Sequence, residues 1–273
     1  VFTGCSPKEP VALEPTDMPF VSAFTEGRYE DALRIADMEL SRNPDDATNL
    51  VYRGACLAML DRSPEAVESF YRGCGEDPVL AGDKTVLYLY ARSLFHSRIY
   101  LGAQATVEQL TRGYPGTRLG EKGRALALQI KKALAGGVRQ THLNWYLEEG
   151  LKHYGAARPA LAVEYLEECL LLADMVKQGA TVDRKQVALA LGGAYVELGN
   201  TDRALHCLLP LPVAYEGYKA GIMTAFALRL AGRNDEALAL MQAASSEAPD
   251  TGTREMARRH LDDWSTGKGA TPL

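Results

Sequence analysis

The hydrophobic residues of this chain follow helical spacing almost throughout. Val51, Val67 and Val107 sit in helix-like patterns, and no segment alternates apolar and polar with period two over several residues. The pattern predicts helices and nearly no strands, which disfavours Rossmann, barrel and sandwich folds. Leu119, Leu126, Ile130 and Leu134 share one face of a single amphipathic helix running from Gly116 to Leu134. Gly136-Gly137 follows it and is the best hinge in the chain. After Pro249, residues Thr253 to Trp264 read as a capping helix, with Met256, Leu261 and Trp264 inward and Arg258, Arg259 and Asp262 outward.

The helices repeat. Gly54 to Ala66, Ala91 to Ala103, Gly150 to Ala162, Gly192 to Ala204 and Ala225 to Ala237 are each 12 residues apart. Ala32 to Ala66 and Pro44 to Pro78 are both 34; Ala66 to Ala103 and Pro78 to Pro115 are both 37; Ala204 to Ala237 and Gly199 to Gly232 are both 33. Two antiparallel helices approach closely where small side chains face each other, so Gly or Ala recurs at the crossing, and Pro ends the second helix because it cannot continue the hydrogen-bond ladder. One pair cannot bury its own apolar face, so pairs stack.

These residues resemble the tetratricopeptide repeat (TPR) family. The clearest units are Gly192 to Leu205 and Ala225 to Leu238, and Gly27 to Leu33 with Asn43-Pro44-Asp45-Asp46 matches the second half of a unit. The first helix of that early unit is short and carries Phe20 where a small residue is usual. The resemblance covers residues 17–264 and implies an all-α, right-handed α-solenoid of about five to six TPR-like helix pairs with a C-terminal capping helix. The expected division is a tether over 1–16, one TPR-like subdomain over 17–135, a second over 138–264, and a tail over 265–273.

Composition adds little to the fold and more to the address. Net charge is −5 over 273 residues, which gives no global basic field for nucleic acid, and no apolar run reaches the length of a membrane span. The charge is uneven: residues 1–78 carry −8, residues 79–140 carry +7 and residues 141–273 carry −4. The positive belt comprises Arg112, Arg118, Lys122, Arg124, Lys131, Lys132 and Arg139. It meets acidic lipid headgroups or an acidic partner, or it neutralises the acidic first third of the array, and the low cost of that internal attraction favours the second reading.

Phe2-Thr3-Gly4-Cys5, followed by the proline-rich stretch Ser6 to Pro19, resembles the lipobox of bacterial lipoproteins. Phe2 departs from the usual Leu. The resemblance implies that Cys5 is acylated and is the mature N-terminus, and Ser6, which is not Asp, implies outer-membrane sorting. The remaining cysteines, Cys56, Cys74, Cys169 and Cys207, form no CxxC pair and read as small buried hydrophobes. A Cys56–Cys74 disulfide stays open at this point.

No catalytic constellation stands out. HExxH, GxSxG and a strand-borne GxGxxG are absent, and the five histidines have no metal-ligand spacing. Ser265 to Gly269 lacks the upstream glycine of a phosphate loop. No cofactor and no metal is expected. In the TPR family the first helix of each pair lines a concave groove. Carried over, that places Tyr88, Arg92, Phe95 and His96 together, then Asn144, Leu147, Leu151 and Tyr154, then Gln186, Leu189 and Val196, then Lys219, Ile222, Phe226 and Arg229. Aromatics mixed with Arg suit a peptide or helix of a protein partner. The expectation is a membrane-anchored, non-enzymatic TPR scaffold of the bacterial envelope that faces the periplasm. At the level of anchor and repeat it resembles the assembly lipoproteins of the outer-membrane β-barrel machinery, which the Tyr114-Pro115-Gly116-Thr117 turn supports, and the TPR lipoproteins that accompany periplasmic solute transporters. The alternative is a soluble cytoplasmic adaptor.

Overall fold

A computed structural model describes residues 19–176 and 181–266. Cys5, the 1–16 tether, and the Gly267 to Leu273 part of the tail lie outside the described residues. Among those described there is no strand, and the chain divides into two compact units between Gly137 and Val138.

Unit 1 holds α1 (Pro19–Thr25), α2 (Tyr29–Arg42), α3 (Ala47–Met59), α4 (Ser63–Glu76), α5 (Lys84–His96), α6 (Tyr100–Gly113) and α7 (Arg118–Leu134), with a 3-10 turn over Leu80–Gly82. Unit 2 holds α8 (Gln140–Gly155), α9 (Pro159–Met175), α10 (Arg184–Glu197), α11 (Thr201–Leu208), α12 (Lys219–Leu230), α13 (Asn234–Glu247) and α14 (Thr251–Ser265). Each unit is three antiparallel helix pairs followed by one closing helix, and within a unit each first helix also packs on the next first helix, as α3 does on α5 and α10 on α12.

The small residues lie at the crossings. A Cβ on Gly54 would stand 2.9 Å from the Phe70 ring, one on Gly150 2.6 Å from Leu166, and one on Gly192 2.3 Å from Leu208. In each case the large partner comes 16 residues after the glycine. Ala91 with Val107 and Ala225 with Met241 keep that spacing, and all four are buried. The first pair reverses the order. Phe20 takes the small position and Ala36, 16 residues on, takes the large one; Ala36 is 0% exposed and belongs to the same core cluster. Phe20 stacks on Tyr52 at 4.1 Å. The exchange puts the bulk on the other helix, so the crossing remains filled.

The turn inside each pair is also periodic. Gly27, Asp61, Arg98, Ala157, Gly199 and Gly232 all have positive φ. The N–H of the next residue bonds to the carbonyl five positions back, from Arg28 to Ala23, Arg62 to Leu57, Ile99 to Leu94, Arg158 to His153, Asn200 to Tyr195 and Arg233 to Leu228, each at 2.9–3.0 Å. This is the Schellman closure, which satisfies the last carbonyls of one helix while the chain reverses into the next. Arginine often opens the second helix and pairs with the acid three residues on, as in Arg28–Asp31, Arg62–Glu65 and Arg233–Glu236. Asp46, Asp83 and Asp183 cap the first helices α3, α5 and α10, and Thr117 and Asp250 cap the closing helices α7 and α14, each accepting from backbone N–H groups of the first turn.

The four described cysteines are thiols, which leaves Cys56 and Cys74 unbridged. Burial pushes the thiols of Cys56 and Cys74 up to about 12 and that of Cys169 up to about 11, so all three are inert at neutral pH.

Candidate protein-binding surface

The first helices of unit 2 run in a shared register. The exposed polar residues Asn144, Gln186 and Lys219 occupy one level on α8, α10 and α12. One turn further on stand Leu147, Leu189 and Ile222, of which the two leucines are half-buried and Ile222 is buried. The next level holds Leu151, Gly193 and Phe226, and the last holds Tyr154, Val196 and Arg229. Gly193 is what lets Tyr154 lie flat: a Cβ there would stand 2.1 Å from the Tyr154 hydroxyl. Burial, with Glu197 nearby, pushes that phenol up to about 12, so Tyr154 stays a neutral donor. Gln140 anchors the entry to this face. Its side chain donates to Asn144 Oδ1 at 2.7 Å and to the Thr181 carbonyl at 2.9 Å, and accepts from Thr181 N–H at 3.0 Å.

Behind this face, Tyr195 donates to Glu167, and Arg203 reaches Glu167 at 3.2 Å and the Tyr195 oxygen at 3.0 Å. That cluster ties α9, α10 and α11 together and fixes the tilt of α10.

At the C-terminal end the register is covered. Phe226 is 2% exposed, buried beneath the closing helix. Its ring meets Trp264 edge-on at 5.4 Å and His260 at 4.9 Å, both from α14. The Arg229 guanidinium lies 4.7 Å over the Trp264 ring. Register alone places Phe226 on the first-helix face; the closing helix then takes that position for itself.

The unit 1 residues are built differently. Arg92 is 26% exposed at its side chain and donates to the Ala58 carbonyl at 3.1 Å and to Asp61 at 3.0 Å. It thereby braces α5 against the α3–α4 turn. Tyr88 is half-buried under the Lys122 ammonium, which lies 5.5 Å from its ring. Phe95 is half-buried against Tyr100 at 5.8 Å, and His96 beside it is exposed. The residues sequence reading missed are Gly193 and His260. Trp264, read as inward, is buried, and the ring it covers is Phe226, which nothing in the register shows.

No family model matches the chain, and no curated protein matches it. Solved structures of TPR proteins are similar at low identity. The TPR domain of P58(IPK) is 14% identical over 90% of this chain and 64% of that one, with a TM-score of 0.35. The TPR2AB domain of yeast Sti1, described in complex with an HSP90 peptide, is 13% identical over 91% and 95%, with a TM-score of 0.37. Cut9, from the APC/C hetero-tetramer Cut9–Hcn1, is 16% identical over 89% and 48%, with a TM-score of 0.37. The chain thus spans 64% of the first of these and about half of the third. At that level of superposition the fold rests on the chain's own crossings and turns, which are those of TPR-type helix pairs.

Proposed function

We propose that this protein is a membrane-anchored scaffold of the bacterial envelope that holds a segment of a protein partner on the first-helix face of unit 2, without catalysis of its own. One observation carries the binding reading: half-buried Leu147, Leu151 and Leu189 share the first-helix register of α8 and α10, bordered by exposed Asn144, Gln186 and Lys219. Half-buried aliphatic side chains are stabilised by covering, and a polar border of matched register orients what covers them. Tyr154 closes the strip with a neutral hydroxyl.

The anchor reading is supported by Phe2-Thr3-Gly4-Cys5 and the prolines at 7, 10, 15 and 19. Acylated at Cys5, the chain would sit on the periplasmic side of the outer membrane. Capture from envelope extract tests the binding face. Leu147→Asp with Leu189→Asp should lose the partner that the parent recovers, at unchanged helicity, because each truncated contact of a hot spot is worth about 1–3 kcal/mol. Equal recovery by parent and variant would move the site elsewhere. Cys5→Ala in the full precursor tests the anchor: processing and membrane association should both be lost.

A further inference from the structure

The closing helix of unit 1 turns outward a face that the fold does not use. α7 buries Gly120, Gly123, Leu126 and Ile130 against its own unit. Of its cations, Arg124 is tied to Glu121 and to the Pro115 carbonyl at 2.8 Å, and Lys122 lies over Tyr88. Arg118, Lys131 and Lys132 are exposed and make no ion pair among the described residues. The acids earlier in the unit pair instead with nearby arginines, as Asp31 does with Arg28, Asp37 with Arg53 and Asp45 with Arg72. Among the described residues, no cation of the positive belt forms an ion pair with an acid of the first third of the chain. Leu128 stands among these cations with 63% of its surface exposed. At 3.6 residues per turn, Arg118, Leu128 and Lys132 fall within a sector of about 80°, which also holds Glu121 in its pair with Arg124, with Lys131 on its flank.

We propose that the outer face of α7 is a docking surface for an anionic lipid layer. Leu128 enters the headgroup region while Arg118, Lys131 and Lys132 meet lipid phosphates. An exposed leucine set among long basic side chains is the arrangement of a helix lying in an interface. The three cations are held by no carboxylate, so they can follow charges that move laterally, as lipid headgroups do, rather than a fixed acidic surface. α7 also ends the array of unit 1, so no later pair of that unit covers it. The inference rests on α7 alone and stands whether or not Cys5 is acylated or unit 2 binds a partner.

Vesicle sedimentation decides it. The full chain carrying Cys5→Ser, so that no acyl chain contributes, is mixed with phosphatidylglycerol/phosphatidylcholine vesicles or with phosphatidylcholine alone. Sedimentation with the anionic vesicles only, and release as salt is raised, are expected. Lys131→Glu with Lys132→Glu should lower partitioning about ten-fold or more, and Leu128→Ser should lower it less. These sites are exposed, so circular dichroism should be unchanged; were the charge variant misfolded, Leu128→Ser and the salt series still decide. Equal sedimentation with both vesicle types, or a charge-reversed chain that partitions as the parent does, overturns the proposal. Failure to sediment with anionic vesicles also overturns it, and assigns the face to an acidic protein.

Discussion

Units 1 and 2 share one plan and close it in opposite ways. Each stacks three helix pairs and adds a single helix. In unit 1 the closing helix contacts its unit through glycines and two aliphatics and leaves Arg118, Lys131 and Lys132 to solvent. In unit 2 it lays Trp264 on Phe226 and draws Arg229 over the indole. A closing helix can thus seal an array with bulk, or seal it with little bulk and keep an outer face for another use. The proposed binding strip of unit 2 ends where that bulk begins.

The largest expected effects come from an end aromatic of each unit, Trp264 in α14 and Phe20 in α1. Trp264→Ala should cost unit 2 about 3–5 kcal/mol, because it removes the cover of Phe226 and leaves a cavity. Phe20→Ala should cost unit 1 a similar amount, about 3–5 kcal/mol. Denaturant unfolding separates the two. Trp145 and Trp264 both lie in unit 2, so in the Phe20 variant tryptophan fluorescence follows unit 2 while circular dichroism follows both units. The Trp264 variant retains Trp145 as its reporter. Adding Ala36→Leu to Phe20→Ala restores the order found in the other pairs and should recover part of the loss. No recovery would break the claim that the first crossing is an exchange of bulk.

Next comes overpacking. Gly150→Leu meets Leu166 and should destabilise unit 2 by about 1–3 kcal/mol, read as an earlier fluorescence midpoint.

The pH response should also divide the units. Burial holds the imidazoles of His153 and His260 below their usual 6.5, against the opposing pull of Glu149 and Asp263; beside His153, Lys152 and Arg158 push the same way as burial. His153 is stacked on Tyr165 at 5.3 Å. Both histidines are in unit 2, whereas His96 of unit 1 is exposed. The unfolded chain therefore binds protons first as pH falls through about 6.5, and unit 2 loses stability from there downward. Thermal unfolding at pH 7 and pH 5.5 should show the fluorescence transition moving down more than the remaining circular dichroism signal.

The smallest effect lies in the turns. Ala157 adopts φ of 54°, where Gly199 adopts 68° at the same place in the next pair. Ala157→Gly should stabilise unit 2 by about 1 kcal/mol, and Gly199→Ala should destabilise it by about as much. Midpoints in urea check both signs.

Much of the fold was legible because crossings need small residues, and Gly54, Gly150 and Gly192 announce them. The turns were half legible. Gly27, Gly199 and Gly232 mark positive φ, but Asp61, Arg98 and Ala157 hold the same backbone without the residue that advertises it. Phe20 read as a defect because its partner, Ala36, shows only in the folded pair. The site was less legible. Register assigns a residue to the first-helix face but is blind to what lies on it, so Phe226 was placed in the groove that α14 covers. Arg92 was placed there too, although its guanidinium is used on Ala58 and Asp61. The belt on α7 was visible as charge, while the division between tied Lys122 and Arg124 and Arg118, Lys131 and Lys132, unpaired among the described residues, was not.

The central claim is that unit 2, and not unit 1, presents the partner strip. Photo-crosslinking tests it most directly: a photoreactive residue is placed at 147 or 189 in one set of cells, and at 88 or 95 in another. Adducts to a protein partner from 147 and 189, with none from 88 and 95, are the predicted result. Adducts from 88 and 95, with 147 and 189 silent, would contradict it.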